Sequence, residues 1–236
     1  MSLFILVAAV GALSAQDFEL PPVTLPNVPS RAATPGAFLP NGWGVEQQAA
    51  GDLNGDGVED AALIMRALDP ANLVEHDGFG MSPYDTNPLM LVVGFGRPEG
   101  GYVLALADHR LIPRPHNPVM ADVVGEAPPM EIARGALKVS LHAWASAGSW
   151  SMSNTAYTLR WRDGAFRLIG FDDLNIHRGT GELVERSINY LTGRMSVGVG
   201  SISSDEVETT WEAAPAGPLL TLEEIGNGLE FDPETR

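Results

Sequence analysis

The chain has 236 residues, with 30 Asp or Glu against 14 Lys or Arg, and its formal net charge is −16. This acidity argues against nucleic acid and anionic membranes as partners, because both require patches of Lys and Arg. The absence of cysteine excludes disulfides, thiol catalysis and lipid attachment at an N-terminal cysteine. An acidic balance also suits a protein that binds divalent cations, although solubility outside the cytoplasm explains the same charge.

The N-terminal segment has the pattern of a signal peptide. Residues 1–15 carry no charge, and an apolar run over residues 3–10 is followed by small residues. The run is too short to span a membrane but matches the apolar centre and cleavage zone of an export signal. We therefore predict a signal peptide over residues 1–15, cleaved after Ala15 or alternatively after Ala12, and no membrane span after cleavage. A buried N-terminal strand or an uncleaved anchor is the alternative.

Prolines recur every few residues between positions 16 and 42. Proline fixes φ and lacks an amide donor, so this segment cannot form a central strand and favours extended conformations. We expect a leader over residues 16–42, which is either a linker or a segment lying along the surface. The folded domain is expected over residues 43–236.

From Trp43 onward, short apolar or β-branched runs alternate with Gly, Pro, Asn and Asp, as in an all-β protein. No window shows helical periodicity, and only Thr221 and Glu224 have the spacing of a helix capping box. The predicted fold is therefore all-β, with antiparallel hairpins packed as a single domain and few or no helices. Strands are expected at 60–66, 89–95, 101–107, 135–144, 154–171, 187–191 and 194–199.

The clearest local pattern is a hairpin around Asp163 and Gly164. Asp-Gly suits a type I′ turn, in which both central residues have positive φ. Alternation gives each strand one apolar face, made of Tyr157, Leu159 and Trp161 on the first strand and Phe166, Leu168 and Gly170 on the second. These two faces are expected to pack together in the core.

Residues 51–60 read Gly-Asp-Leu-Asn-Gly-Asp-Gly-Val-Glu-Asp, which is the pattern of a calcium loop. Ca²⁺ takes several carboxylate, amide and carbonyl oxygens, and alternate side chains of a curled loop all point inward. Gly57 allows the sharp turn that such a loop needs. We expect a Ca²⁺ site at 52–60, with the side chains of Asp52, Asn54, Asp56 and Asp60 and the backbone carbonyl of Val58 as ligands.

The loop is not an EF-hand, because position 12 would require a bidentate Glu and holds Leu63. Glu59 is expected to face solvent. Bound calcium would neutralise the converging carboxylates and pin the turn into the next strand, or alternatively would also contact a ligand. A metal-free set of Asx turns is the remaining alternative, because Asp-Gly and Asn-Gly stretches also form turns unaided.

The loop resembles those of FG-GAP and VCBS-type calcium repeats, which occur in integrin-like propellers and in exported bacterial proteins. The chain also resembles a group of single-domain exported bacterial proteins in the order of four further motifs. These are an apolar hairpin at 89–107, a Gly-Ser-Trp patch at 148–150, a Tyr-x-Leu-Arg hairpin at 157–170 and an Asn-Tyr-Leu-Thr-Gly signature at 189–193. The resemblance covers residues 43–200 and implies calcium binding and β structure, without an established activity. A propeller would need several copies of the loop, and the sequence contains one.

No other motif identifies a catalytic site. The histidines lack the close spacing of zinc ligands, and residues 147–151 lack the second glycine of a nucleophile elbow. The pair Asp172-Asp173 could serve a glycosidase, which needs two carboxyls at a fixed separation, but such pairs arise by chance among 30 acidic residues. Trp150, in a Gly- and Ser-rich segment, is the aromatic residue best placed to contact a ligand.

The sequence therefore predicts a periplasmic or secreted bacterial β-domain with a Ca²⁺ cofactor, acting as a binding or structural module of the cell envelope. Its expected partner is a protein or a glycan of the envelope. The alternative, a glycosidase-like hydrolase of envelope polymers with acidic catalytic residues, is the less favoured one. No residue is identified as catalytic.

Overall fold

A computed structural model describes residues 19–125 and 127–234 of the chain. The signal peptide expected over residues 1–15 lies outside these described residues. Within them, no helix has both the length and the apolar composition that a membrane crossing requires.

Antiparallel β-strands form almost all of the regular structure, which confirms the all-β prediction. In chain order the strands of the described part are β1 (Arg31–Ala32), β2 (Trp43–Gly51), β3 (Asp60–Ala67), β4 (Leu73–Val74), β5 (Tyr84–Asp85), β6 (Leu89–Gly96), β7 (Tyr102–Asp108), β8 (Glu131–Ala133), β9 (Ala136–Ala143), β10 (Ser151–Arg162), β11 (Ala165–His177), β12 (Glu182–Asn189), β13 (Arg194–Ser201) and β14 (Val207–Ala213). Short 3₁₀ turns lie at Pro35–Phe38 and Pro70–Asn72. The α-helix α1 (Leu222–Ile225) begins with the predicted capping box of Thr221 and Glu224.

Two large antiparallel sheets pack face to face. The first has five strands in the order β1-β7-β6-β3-β2, and the second has seven in the order β14-β13-β12-β11-β10-β9-β8. Ile64 and Leu91 of the first sheet share one core with Leu137, Tyr157 and Leu168 of the second. The single-domain packing predicted from the sequence is thus present, and β4 and β5 form a separate short pair.

The first sheet is also covered on its other face. Every residue of β3 is buried, because side chains alternate along a strand and both of its faces meet apolar groups. Phe38 packs against Leu63 on the face away from the second sheet, and Leu25 and Val28 pack beside them. A Cβ at Gly94 would collide with the ring of Phe38, so glycine is required there. The Pro-rich segment therefore contributes to the packed structure from residue 25 onward.

The second sheet is covered on its inner face by the first sheet and by the C-terminal segment. Leu222 and Ile225 of α1 are buried in the shared core. Phe231 packs edge-on against Tyr157, with ring centroids 5.9 Å apart. The Tyr157 hydroxyl donates a hydrogen bond of 2.6 Å to the buried carbonyl of Gly228, so the segment is fixed by packing and by a buried polar contact.

The predicted hairpin is formed by β10 and β11, whose turn residues Asp163 and Gly164 have φ values of 51° and 77°. Both values are positive, as a type I′ turn requires. A β-bulge just before Gly170 then shifts the register, so that Gly170 lies opposite Thr158. The expectation that Gly170 shares the apolar face with Leu168 is therefore wrong, because the extra bulge residue reverses the alternation.

A polar pair lies on the inner face of the second sheet beyond the apolar residues. Thr155 Oγ1 donates to Asp173 Oδ1 at 3.1 Å. Burial raises the pKa of Asp173 above its ordinary value, while the hydrogen bond from Thr155 and the charge of Arg186 partly oppose this rise. The folded protein therefore holds a proton on Asp173 more tightly than the unfolded chain does.

The Tyr157 hydrogen bond gives a testable stability difference. In Tyr157→Phe the Gly228 carbonyl stays buried without this donor, and we expect the free energy of unfolding to fall by about 1–3 kcal/mol. Urea unfolding measures the change. The matched control is Tyr102→Phe, because the Tyr102 hydroxyl makes no hydrogen bond within the described residues. Equal losses in the two variants would contradict the assigned role.

The raised pKa of Asp173 gives a prediction of pH dependence. Because the folded-state pKa lies above 3.8, the wild-type protein loses stability relative to Asp173→Asn as the pH rises from 3.8 through the folded-state pKa. The variant should therefore gain stability over the wild type between pH 4 and pH 7, by an amount that urea unfolding at a series of pH values measures. A difference that stays constant with pH would show that Asp173 is not perturbed by burial.

Candidate functional site

The acidic loop between β2 and β3 folds through nested Asx turns. Asp52 accepts hydrogen bonds from the amides of Gly55 at 2.7 Å and Gly57 at 2.9 Å, using both carboxylate oxygens. Asn54 and Asp56 each accept from the amide two residues further on, at 2.9 and 2.8 Å. These bonds curl the backbone tightly and hold the acidic side chains against it.

Asp60 lies at the base of the loop, as the first residue of β3, and is fully buried. Its carboxylate accepts 2.8 Å hydrogen bonds from the amides of Leu53 and Gly96, which tie the loop to the end of β6. Burial and the nearby charge of Asp56 raise the pKa of Asp60, while the backbone hydrogen bonds lower it. Within the described residues no cationic side chain forms an ion pair with this carboxylate.

The donor chemistry of the loop fits a hard divalent cation. Asp52, Asp56 and Asp60 supply carboxylates, Asn54 supplies an amide oxygen, and Val58 supplies a carbonyl. A carboxylate offers about four lone pairs, so the amide hydrogen bonds leave acceptor capacity for a cation. Such a cation would also supply the positive charge that Asp60 lacks.

The spacing of the acidic side chains fits a metal site less well than their chemistry does. Across the described part of the chain, no three or more His, Asp or Glu side chains are grouped closely enough to hold a metal ion. The structure thus places the five expected ligands on one loop, with Asp60 at its base, but does not gather the carboxylates around one point. The hydrogen bonds from backbone amides to the loop side chains are those expected for a metal-free set of Asx turns. Glu59 is exposed, as expected.

The loop lies at the edge where the two sheets meet. Gly51, the last residue of β2, packs so closely against Ile132 of β8 that a Cβ would collide with it. The hydrogen bonds of Asp60 join the same region to β6. Any ligand that stiffens this loop therefore stiffens the contact between the sheets.

Trp150 lies on an exposed loop that Arg178 holds in place. The Trp150 side chain is 68% exposed. The Arg178 guanidinium donates to the carbonyls of Ala145 at 2.7 Å and Ser149 at 2.5 Å, and the Arg178 amide donates to the carbonyl of Trp150 at 2.7 Å. The aromatic ring is therefore presented to solvent from a fixed backbone, as a contact residue requires.

Asp172 and Asp173, the acidic pair considered from the sequence, point to opposite faces of the second sheet. They are successive residues of β11, and side chains alternate along a strand. Asp173 faces Thr155 on the inner side, and Asp172 faces Ser187 on the outer side. Two carboxyls separated by a sheet cannot flank one glycosidic bond, so this pair does not form a hydrolase site.

A groove of about 650 Å³ lies on the outer face of the second sheet, walled by residues 128–131. We call it the outer groove. At its centre the carboxylate of Asp172 accepts a hydrogen bond from Ser187 Oγ at 2.7 Å and lies 3.7 Å from the ammonium of Lys138, the only lysine of the chain. The first sheet and the C-terminal segment cover the opposite face of these strands.

A row of paired positions crosses the outer groove and continues beyond its lining residues to the edge strand β14. Directly paired positions share one face of a sheet. The row that passes through Asp172 consists of Ser140, Ala156, Asp172, Ser187, Ser196 and Trp211. Trp211 ends the row on β14, is 63% exposed, and has the guanidinium of Arg194 4.6 Å from its ring centre.

The sequence pattern did not predict the outer groove. Its residues come from separate strands, and which of them are neighbours depends on the register of each pairing. A signal was present in the polar residues at alternate positions, such as Lys138, Ser140 and His142 of β9. That pattern indicates an outward face but not what lies beside it.

Comparison of the chain with family models, with curated proteins and with solved structures gave no match. The resemblance to FG-GAP and VCBS-type loops therefore remains a prediction from the motifs themselves.

Proposed function

We propose that this chain is an exported, calcium-stabilised β-domain that acts as a binding or structural module of the bacterial cell envelope. The observation that carries the proposal is the buried carboxylate of Asp60, which has amide partners but, among the residues that the structure describes, no cationic one. A buried charge costs free energy unless an opposite charge compensates it. Ca²⁺ bound by the neighbouring Asp52 and Asp56 would provide that charge.

The role of calcium in this proposal is structural. The loop joins β2 to β3 and contacts both β6 and the region of β8. A cation held by Asp52, Asn54, Asp56, Asp60 and the Val58 carbonyl would fix this junction. It would take no part in chemistry on a substrate.

Binding, rather than catalysis, is supported by the outer groove. It has charged and hydroxyl side chains among its lining residues and lies on the face of the sheet opposite the shared core. Trp150 is a second exposed contact residue, at the end of the same sheet. Asp172 and Asp173 do not support the hydrolase alternative, because their side chains lie on opposite faces of the sheet.

The proposed location rests on the sequence alone. The uncharged apolar stretch over residues 1–15 and the lack of cysteine support export to the periplasm or secretion. A partner in that location is a protein or a glycan of the envelope.

Calcium binding is tested by thermal unfolding and titration calorimetry. At a Ca²⁺ concentration of about 100 times Kd, linkage predicts a stabilisation of about 2.7 kcal/mol. For a chain of this size that corresponds to a rise in Tm of roughly 5–11 °C. Mg²⁺ should have a smaller effect, because it prefers a strict octahedral shell and retains its waters.

Two matched variants locate the site. Asp56→Ala should abolish the calcium shift, whereas Glu59→Ala, which removes a neighbouring exposed carboxylate, should retain most of it. Equal effects of the two variants would contradict the ligand assignment. A wild-type protein whose Tm and heat of mixing do not respond to Ca²⁺ would leave the Asx turns as the complete description of the loop.

A further inference from the structure

The charges of the outer groove disfavour an anionic ligand. Glu131, Asp172 and Glu185 lie on its face, since Glu131 is paired with Lys138 and Glu185 lies two residues from Ser187 on β12. Lys138 and, beside Trp211, Arg194 are cations on this face. An anionic ligand would therefore meet an excess of negative charge, within a protein whose net charge is already −16.

A cationic ligand is also disfavoured at the centre of the groove, because the carboxylate there is already paired. The Asp172 carboxylate already has an ammonium at 3.7 Å and a hydroxyl donor at 2.7 Å. A second cation beside Asp172 would be repelled by Lys138 or would have to displace it. Arg186 is paired with Asp173, so its side chain lies on the inner face, where it donates to Glu234 at 2.7 Å.

Neutral hydroxyl groups suit the groove because a hydroxyl both donates and accepts hydrogen bonds. Ser187 and Ser196 present hydroxyls along the row, and the largely buried Ser140 also lines the groove. Asn154, two residues from Ala156 on the same face of β10, adds an amide. A polyhydroxylated ligand can pair with these groups without bringing a charge into the groove.

Trp211 gives the row an apolar end. The ring is 63% exposed, and Arg194 lies over it at 4.6 Å. The C–H face of a sugar ring can cover an exposed indole and so remove apolar surface from water. Since strands are about 4.8 Å apart, the three strand steps from Asp172 to Trp211 span about 14 Å, so a ligand that touches both must be a chain.

From these observations we propose that the outer groove binds a neutral glycan chain. The chain lies across the strands, with its hydroxyls on the row from Ser140 to Ser196 and one sugar ring stacked on Trp211. This assignment rests on the proposed binding function and names its ligand class and its residues.

The test uses the full chain with hexasaccharides that differ in charge. Chitohexaose, cellohexaose, laminarihexaose and xylohexaose are the neutral probes, and the chitosan hexamer and hexagalacturonate are the cationic and anionic controls. We expect at least one neutral probe to bind with a Kd of about 1 mM or tighter by titration calorimetry. Its charged counterparts should bind at least about tenfold more weakly. The lack of binding by every neutral probe at about 10 mM would overturn the inference, and so would tighter binding of a charged probe.

Three variants place the ligand. Trp211→Ala should weaken binding about tenfold or more, and Asp172→Ala should weaken it to a similar degree. Phe79→Ala is the control, because Phe79 is 84% exposed but lies in the loop between β4 and β5 and is not part of the row, and this variant should bind as the wild type does. Unchanged affinity in both Trp211→Ala and Asp172→Ala would place the glycan elsewhere and overturn the assignment.

The proposed function is tested separately, by the rise in Tm with calcium and by retention of the protein on envelope material. If both persist while the neutral probes fail, the glycan assignment is wrong and the binding module stands. If retention is also lost, both are wrong. Mass spectrometry of the bound hexasaccharide should find it intact. Shorter products would support the glycan class but overturn the non-catalytic function.

Discussion

The first sheet is enclosed between two layers, with the second sheet on one side and the segment that contains Phe38 on the other. Because of this enclosure β3 is buried along its whole length, and Asp60 at its start is placed in an environment of low polarity. The acidic loop is thus attached to a strand that cannot shift without exposing apolar surface on both faces. The enclosure therefore explains both the free-energy cost of a charge on the buried Asp60 carboxylate and the rigidity of the loop.

In the described part of the chain, the layers that pack on the second sheet lie on its inner side, and this difference decides where we propose that a ligand binds. Its inner face is occupied by apolar residues such as Tyr157, and its outer face presents Lys138, Asp172 and Ser187. We therefore propose that structure and recognition are divided between the sheets: the first carries the loop that calcium would stabilise, and the second carries the groove.

Features that depend on neighbours in the sequence were predictable, and features that depend on register were not. The Asp163-Gly164 turn and the Thr221 capping box are local, and both have the expected geometry. The position of the acidic loop followed from its own residues, but the direction of its carboxylates depends on amides such as that of Gly96, 36 residues from Asp60. The groove required the pairing of several strands, and a single bulge was enough to reverse the expected face of Gly170.

The core draws on both ends of the described chain. Leu25 and Val28 pack on one face of the first sheet, and residues from Leu222 to Phe231 complete the inner face of the second. Contacts between distant parts of the sequence slow folding, because loop closure must precede the stabilising contacts. The sandwich therefore closes only when residues 222–231 have packed against Tyr157 and the other inner-face residues of the second sheet.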